Sequence, residues 1–125
     1  MSIKVRKLAE EPGEDVQEEG FAGVNSVWAV LKRDDLAAFS SRIFRVEPGG
    51  HTGMHAHERD HLAVVIKGTC TVEGDGEPIR VGEGNIVRVP PNVPHRFVNA
   101  AGGRLVLLIM NFFREPTDTE EEAER

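Results

Sequence analysis

Between residues 24 and 113 the apolar residues fall in short runs rich in Val, Ile, Leu and Phe, and each run is cut off by Gly, Pro or Asn. An amphipathic helix needs apolar residues recurring three and four positions apart over ten or so residues, and that period is nearly absent. A chain patterned this way buries its apolar surface as strands, so the expected fold is an all-β sandwich or barrel. The spacing predicts strands over 24–32, 39–47, 53–57, 61–67, 69–73, 79–81, 85–89, 96–99 and 104–113. The breaks between them have clear causes. Pro48-Gly49-Gly50, Gly74-Asp75-Gly76, Gly82-Glu83-Gly84, Pro90-Pro91-Asn92 and Gly102-Gly103 supply the positive φ of Gly or the preset φ of Pro that tight turns require. Short strands joined by such turns suit a jelly roll.

The chain has 125 residues, enough for one core and too few for two. Residues 1–23 read as an N-terminal strand, around Ile3 and Val5, followed by an exposed acidic loop. Residues 24–113 form the barrel, and 114–125 are an acidic tail too polar to pack and expected to be disordered. No apolar run reaches the length of a membrane span, and the N-terminus turns acidic before any stretch of signal-peptide length. A cytoplasmic location is therefore expected. The net charge is −6 and no Lys/Arg cluster is present, which disfavours nucleic acid and anionic membranes and leaves a small molecule as the expected partner. The lone Cys70 cannot form an intramolecular disulfide and reads as a small buried residue.

Two expected strands break the alternation of a barrel wall. His61–Ile66 (HLAVVI) and Leu105–Met110 (LVLLIM) are apolar on both faces, where a wall facing water is polar on one. A second subunit is the economical cover, so a homodimer is expected.

Chemistry concentrates at His55-Ala56-His57-Glu58-Arg59-Asp60-His61, which holds three of the five histidines. Alternate strand residues share a face, so His55 and His57 converge, and His61 rejoins that face after a short bend. His95 follows the stiff segment Pro90-Pro91-Asn92-Val93-Pro94 and closes the site from another wall. A surface position is the ordinary reading for any single histidine, but not for three this close together. His55, His57, His61 and His95 are therefore the expected metal ligands. Neutral imidazole suits manganese, iron, cobalt, nickel, copper and zinc, whereas calcium and magnesium prefer oxygen. Glu58 and Asp60 lie at odd offsets from His57 and point to the other face if the strand continues.

Parity also places Arg42, Phe44 and Val46 on one face, and Phe97 with His95, with Asn99 beyond it. Arg42, Phe44, Phe97 and Asn99 are the expected substrate pocket, with Arg42 suited to a carboxylate or enolate if its face is the barrel interior. His51 reads as a surface residue.

The histidine-bearing segments resemble the two motifs of the cupin superfamily. The first, G-x5-H-x-H-x3,4-E-x6-G, reads here as Gly49, His55, His57, His61 and Gly68. The second, G-x5-P-x-G-x2-H-x3-N, reads as Gly84, Pro90, Asn92, His95 and Asn99. Two departures stand out. Asn92 takes the place of a turn Gly, which Asn tolerates. His61 occupies the position of the usual glutamate ligand.

The resemblance implies a double-stranded β-helix, or jelly-roll, barrel in a single cupin domain with one divalent transition metal per chain. The arrangement is similar to small four-histidine cupins that include a manganese-binding thermophile protein. Manganese or iron is therefore expected first, with nickel, copper, cobalt or zinc as alternatives. Four neutral ligands leave the metal its full 2+ charge and leave about two positions open for water, dioxygen or a chelating substrate. The implied activity is that of a dioxygenase-type oxidoreductase on a small chelating organic molecule. The alternatives are a non-redox metal-dependent isomerase or decarboxylase and a non-catalytic small-molecule-binding cupin.

Overall fold

The computed structural model describes residues 5–30, 39–54 and 60–112. After a 3-10 turn at Leu8–Glu10 come β1 (Glu14–Asp15), β2 (Ala22–Val30), β3 (Phe39–His51), β4 (Asp60–Lys67), β5 (Thr69–Gly74), β6 (Ile79–Gly82), β7 (Ile86–Val89), β8 (His95–Val98) and β9 (Leu105–Phe112). The hydrogen-bonded order is β6-β5-β8-β3-β9-β4-β7, with β2 on β3 and β1 on β2. This curled antiparallel sheet is the expected all-β jelly-roll barrel.

β3 is the element that closes it. Its first part pairs with β9, from Phe39↔Phe112 to Val46↔Leu105, whereas its last residue pairs with β8 at His51↔Val98. Between the two, Pro48-Gly49-Gly50 forms a kink inside a continuous strand rather than the turn expected between strands. Opposite it, β2 advances from Ala22 to Val24 while β3 runs from His51 to Val46, so β3 carries surplus residues as a bulge. Gly49 takes φ 82° at the kink, a conformation that costs a residue with a Cβ. The kink turns the strand out of one wall and into the next, and so brings His51 and Thr52 beside β8.

Cross-strand pairing sorts the residues into faces. Phe44, Leu107 and Val65 form one inward row and Val46 and Leu105 the start of the next. Leu105, Leu107 and Val46 are wholly buried, each contributing roughly 1.5–3 kcal/mol of hydrophobic stabilisation. Cys70 is buried in the same core, as expected. On the outward face Ile43, Leu108, Val64 and Ile86 lie in register across four strands. The first three are half-buried and Ile86 is 67% exposed.

The N-terminal segment departs from expectation. Val5 lies outside any strand and is exposed, and the strand that extends the sheet is β1, inside the segment expected to be an exposed loop. Ile3 lies outside the described residues. Thr52–Met54 carry no strand, against the expected strand over 53–57, whose last residues also lie outside those described. The tail expected to be disordered falls outside them as well. Among the described residues no helix is long and apolar enough to cross a membrane.

Candidate metal centre and substrate cavity

His61 and His95 reach one cavity from different walls. His61 is the second residue of β4, where it sits between Asn111 of β9 and Val89 of β7. His95 opens β8 opposite Gly74 of β5. The turn before it is set by Asn92, which adopts φ 65° and so performs the role of the turn glycine it replaces. The two imidazole centroids are 5.4 Å apart with planes at 63°. His95 is buried, and its Nδ1 lies 2.9 Å from the Val93 carbonyl. A carbonyl can only accept, so Nδ1 carries the proton and donates, and in the neutral ring Nε2 then bears the lone pair. That tautomer is the one in which a backbone carbonyl orients a metal-binding histidine.

The cavity has a volume of about 260 Å³ and is lined by Glu18, Phe21, Arg42, Phe44, Thr52, Gly53, His61, His95, Phe97, Ile109 and Asn111. Arg42, Phe44 and Phe97, expected in the pocket, all reach it. Asn99 does not. It is fully buried, its Nδ2 donates to the Val46 and Gly103 carbonyls at 2.8 Å each, and its Oδ1 accepts from the Ala101 amide at 3.1 Å. With its hydrogen bonds spent on three backbone groups, Asn99 ties the end of β8 to β3 and to the turn before β9. His51 is half-buried and is not in the lining, its Nδ1 contacting the carbonyl of the lining residue Thr52. His55, His57 and Glu58 lie outside the described residues.

Arg42 is held firmly. Its Nε donates to Ser26 Oγ at 2.9 Å, and its guanidinium carbon lies 4.4 Å from the Trp28 ring centroid and 4.8 Å from that of Phe44. Stacking on two rings and one hydroxyl fixes the plane of the charge. Burial lowers its pKa from the ordinary value, opposed by the fields of Glu18 and Glu14.

Six lining residues were not anticipated: Glu18, Phe21, Thr52, Gly53, Ile109 and Asn111. Asn111 follows from strand parity, since it continues the inward series Leu105, Leu107, Ile109 and stands opposite His61. Its Oδ1 is buried with no hydrogen-bond partner among the described residues, the mark of a polar group placed for something other than packing. Thr52 accepts at Oγ1 from the Phe97 amide and donates its own amide to the Phe97 carbonyl, which clamps the chain just before His55 to the His95 strand. Glu18 and Phe21 come from the N-terminal segment. No periodicity marks that segment, so the sequence gives no sign that it folds over the barrel mouth.

The histidine pair, the fixed tautomer of His95 and the buried amide oxygen beside His61 fit a divalent transition metal. A larger open depression of about 640 Å³ lies around Glu11, Asp15, Arg45 and Arg104, with no histidine in its lining. Its cations are already engaged, Arg104 with Glu47 at 2.7 Å and Arg45 with the Glu11 carbonyl at 2.8 Å.

Comparison with known proteins agrees with this architecture. The family model described as "Cupin domain" matches residues 42–111, more than half of the chain. The chain belongs to the cupin family. Among solved structures, this cupin is similar to the polyketide cyclase RemF from Streptomyces resistomycificus, at 23% identity over 99% of this chain and 94% of that one, with a TM-score of 0.79. It is also similar to a predicted oxalate decarboxylase from Thermotoga maritima, at 17% identity over 89% of this chain and 100% of that one, with a TM-score of 0.78. A cupin-like protein from the same organism matches at 22% identity over 91% and 94% of the two chains, with a TM-score of 0.74. At such identities these likenesses speak for the fold. The comparison with curated proteins gave no match.

Proposed function

We propose that this cupin is a metal-dependent enzyme of small-molecule chemistry, a dioxygenase-type oxidoreductase acting on a chelating organic substrate. The observation that carries the reading is the meeting of His61 and His95, from strands distant in sequence, in a cavity walled by aromatic rings. His55, His57, His61 and His95 form the donor set, with manganese or iron preferred and nickel, copper, cobalt or zinc as alternatives. A divalent transition metal in this set supplies Lewis acidity and, where redox-active, one-electron chemistry towards dioxygen. Val93 keeps His95 protonated on Nδ1, with the lone pair on Nε2. Phe21, Phe44, Phe97 and Ile109 hold water away from the body of the substrate. The protein works as a cytoplasmic homodimer, its outward apolar row covered by a second copy.

A second reading, non-redox isomerisation or decarboxylation, gains from Glu18. Such chemistry needs an acid or base besides the ligands, and Glu18 brings a carboxylate to the cavity. The similar structures described as a polyketide cyclase and a predicted oxalate decarboxylase point the same way. The test is elemental analysis of protein purified without added metal, followed by oxygen uptake with a panel of diketones and enols. Oxygen uptake that tracks metal content supports the dioxygenase. Oxygen-independent turnover lost in Glu18→Gln supports the second reading, and metal binding with no turnover reduces the protein to a binding module.

A further inference from the structure

We infer that Arg42 is the carboxylate-binding residue of the cavity, so that the ligand is a small organic acid with an apolar body. This deepens the reading of the cavity as a substrate site and rests on it, although gripping the anion requires no metal.

Arg42 is a cation drawn into a half-buried position and, among the described residues, it forms no ion pair. Withdrawing a charge from water without a counterion is costly, and such an arrangement is retained where a ligand completes it. The nearest acidic groups, Glu18 and Glu14, act on it through their fields rather than by contact. Its only hydrogen bond among the described residues is from Nε to Ser26. The two terminal Nη groups therefore remain as a parallel pair of donors, which matches the two oxygens of a carboxylate. Trp28 and Phe44 hold the guanidinium plane, so that little rotamer freedom is lost when an anion docks.

The rest of the lining specifies the rest of the ligand. Phe21, Phe44, Phe97 and Ile109 offer apolar surface, and His61, His95 and Asn111 offer polar contacts on strands other than that of Arg42. A volume of about 260 Å³ is below the usual range for drug-sized ligands. The class is therefore a short carboxylic acid with an apolar body and a further polar group for the histidine side of the cavity.

Trp28 is the chain's single tryptophan and it touches Arg42, so its fluorescence reports this contact directly. The experiment titrates the purified full-length protein with 3-methylbutanoate and with its uncharged analogue 3-methylbutanamide. The acid is expected to give a saturable change and the amide none within the same range. Arg42→Met should weaken the acid about 10- to 100-fold, the loss of a charge-assisted bidentate contact. Arg42→Lys keeps the charge but not the fork and should weaken it about tenfold, with circular dichroism confirming that the variant is folded. Equal binding of acid and amide, or unchanged affinity in folded Arg42→Lys and Arg42→Met, overturns the inference. Parallel titrations after chelator treatment separate it from the metal reading. Acid binding that survives chelation, even in protein that takes up no metal, upholds Arg42 while the metal reading fails. Acid binding that vanishes with chelation yet persists in Arg42→Met places the anion on the metal and ends the assignment to Arg42.

Discussion

The imidazoles of His61 and His95 stand edge to face, 5.4 Å between centroids, although they lie near the starts of two strands that share no hydrogen bond. Each is fixed by its own wall. His61 is held between β7 and β9, and His95 by the Val93 carbonyl. The pair is thus a product of barrel closure, and its chemistry can be altered one wall at a time.

His61→Glu is expected to retain metal and to change its character. The carboxylate lowers the net charge of the centre by one unit and is a harder donor, so preference should move towards harder ions and the reduction potential should fall. Metal content and potential of both forms check this. Identical values would remove His61 from the ligand set.

Asn99→Ala should destabilise the protein by about 3 kcal/mol or more, because it strands the Val46 and Gly103 carbonyls and the Ala101 amide without their partner. Metal content per folded chain should not change, since Asn99 lies off the cavity. Denaturant midpoints alongside elemental analysis test both halves, and metal loss without loss of stability would contradict this placement.

Burial raises the Cys70 thiol from 9.0 to about 11, partly offset by a backbone hydrogen bond at Val98. Its protonated form is the neutral one, so the folded state holds a proton that the unfolded chain releases. The resulting stability is present in full below about pH 9 and is lost as pH rises towards 11. Thermal scans across that window should show a falling midpoint in the wild type and a flatter profile in Cys70→Ala. Thiol reagents at pH 8 should react slowly until the protein unfolds.

The outward row Ile43, Leu108, Val64 and Ile86 predicts a homodimer in solution. Light scattering at micromolar concentration should give twice the chain mass, and Val64→Lys should shift it to the monomer. A wild-type monomer would reject the prediction.

Much of this was legible in one dimension. Apolar runs punctuated by Gly and Pro determine strands and turns because those constraints act within a few residues, and the inward faces of β3, β8 and β9 follow from a period of two. The same parity carried Arg42, Phe44 and Phe97 to the cavity, and it already contained Asn111, one step past Ile109. What the sequence could not decide depends on contacts between distant segments. Asn99 shares a parity with His95, yet three backbone groups, one on β3 and two in the turn that follows Asn99, claim its amide. Pro48-Gly49-Gly50 has the composition of a turn, yet pairing with β2, β8 and β9 keeps it inside a strand and makes it the corner of the barrel. Glu18 and Phe21 sit in a segment with no pattern at all and reach the site because the barrel mouth offers surface to cover. Local chemistry fixes the elements, whereas the free energy of packing them together decides which side chains meet.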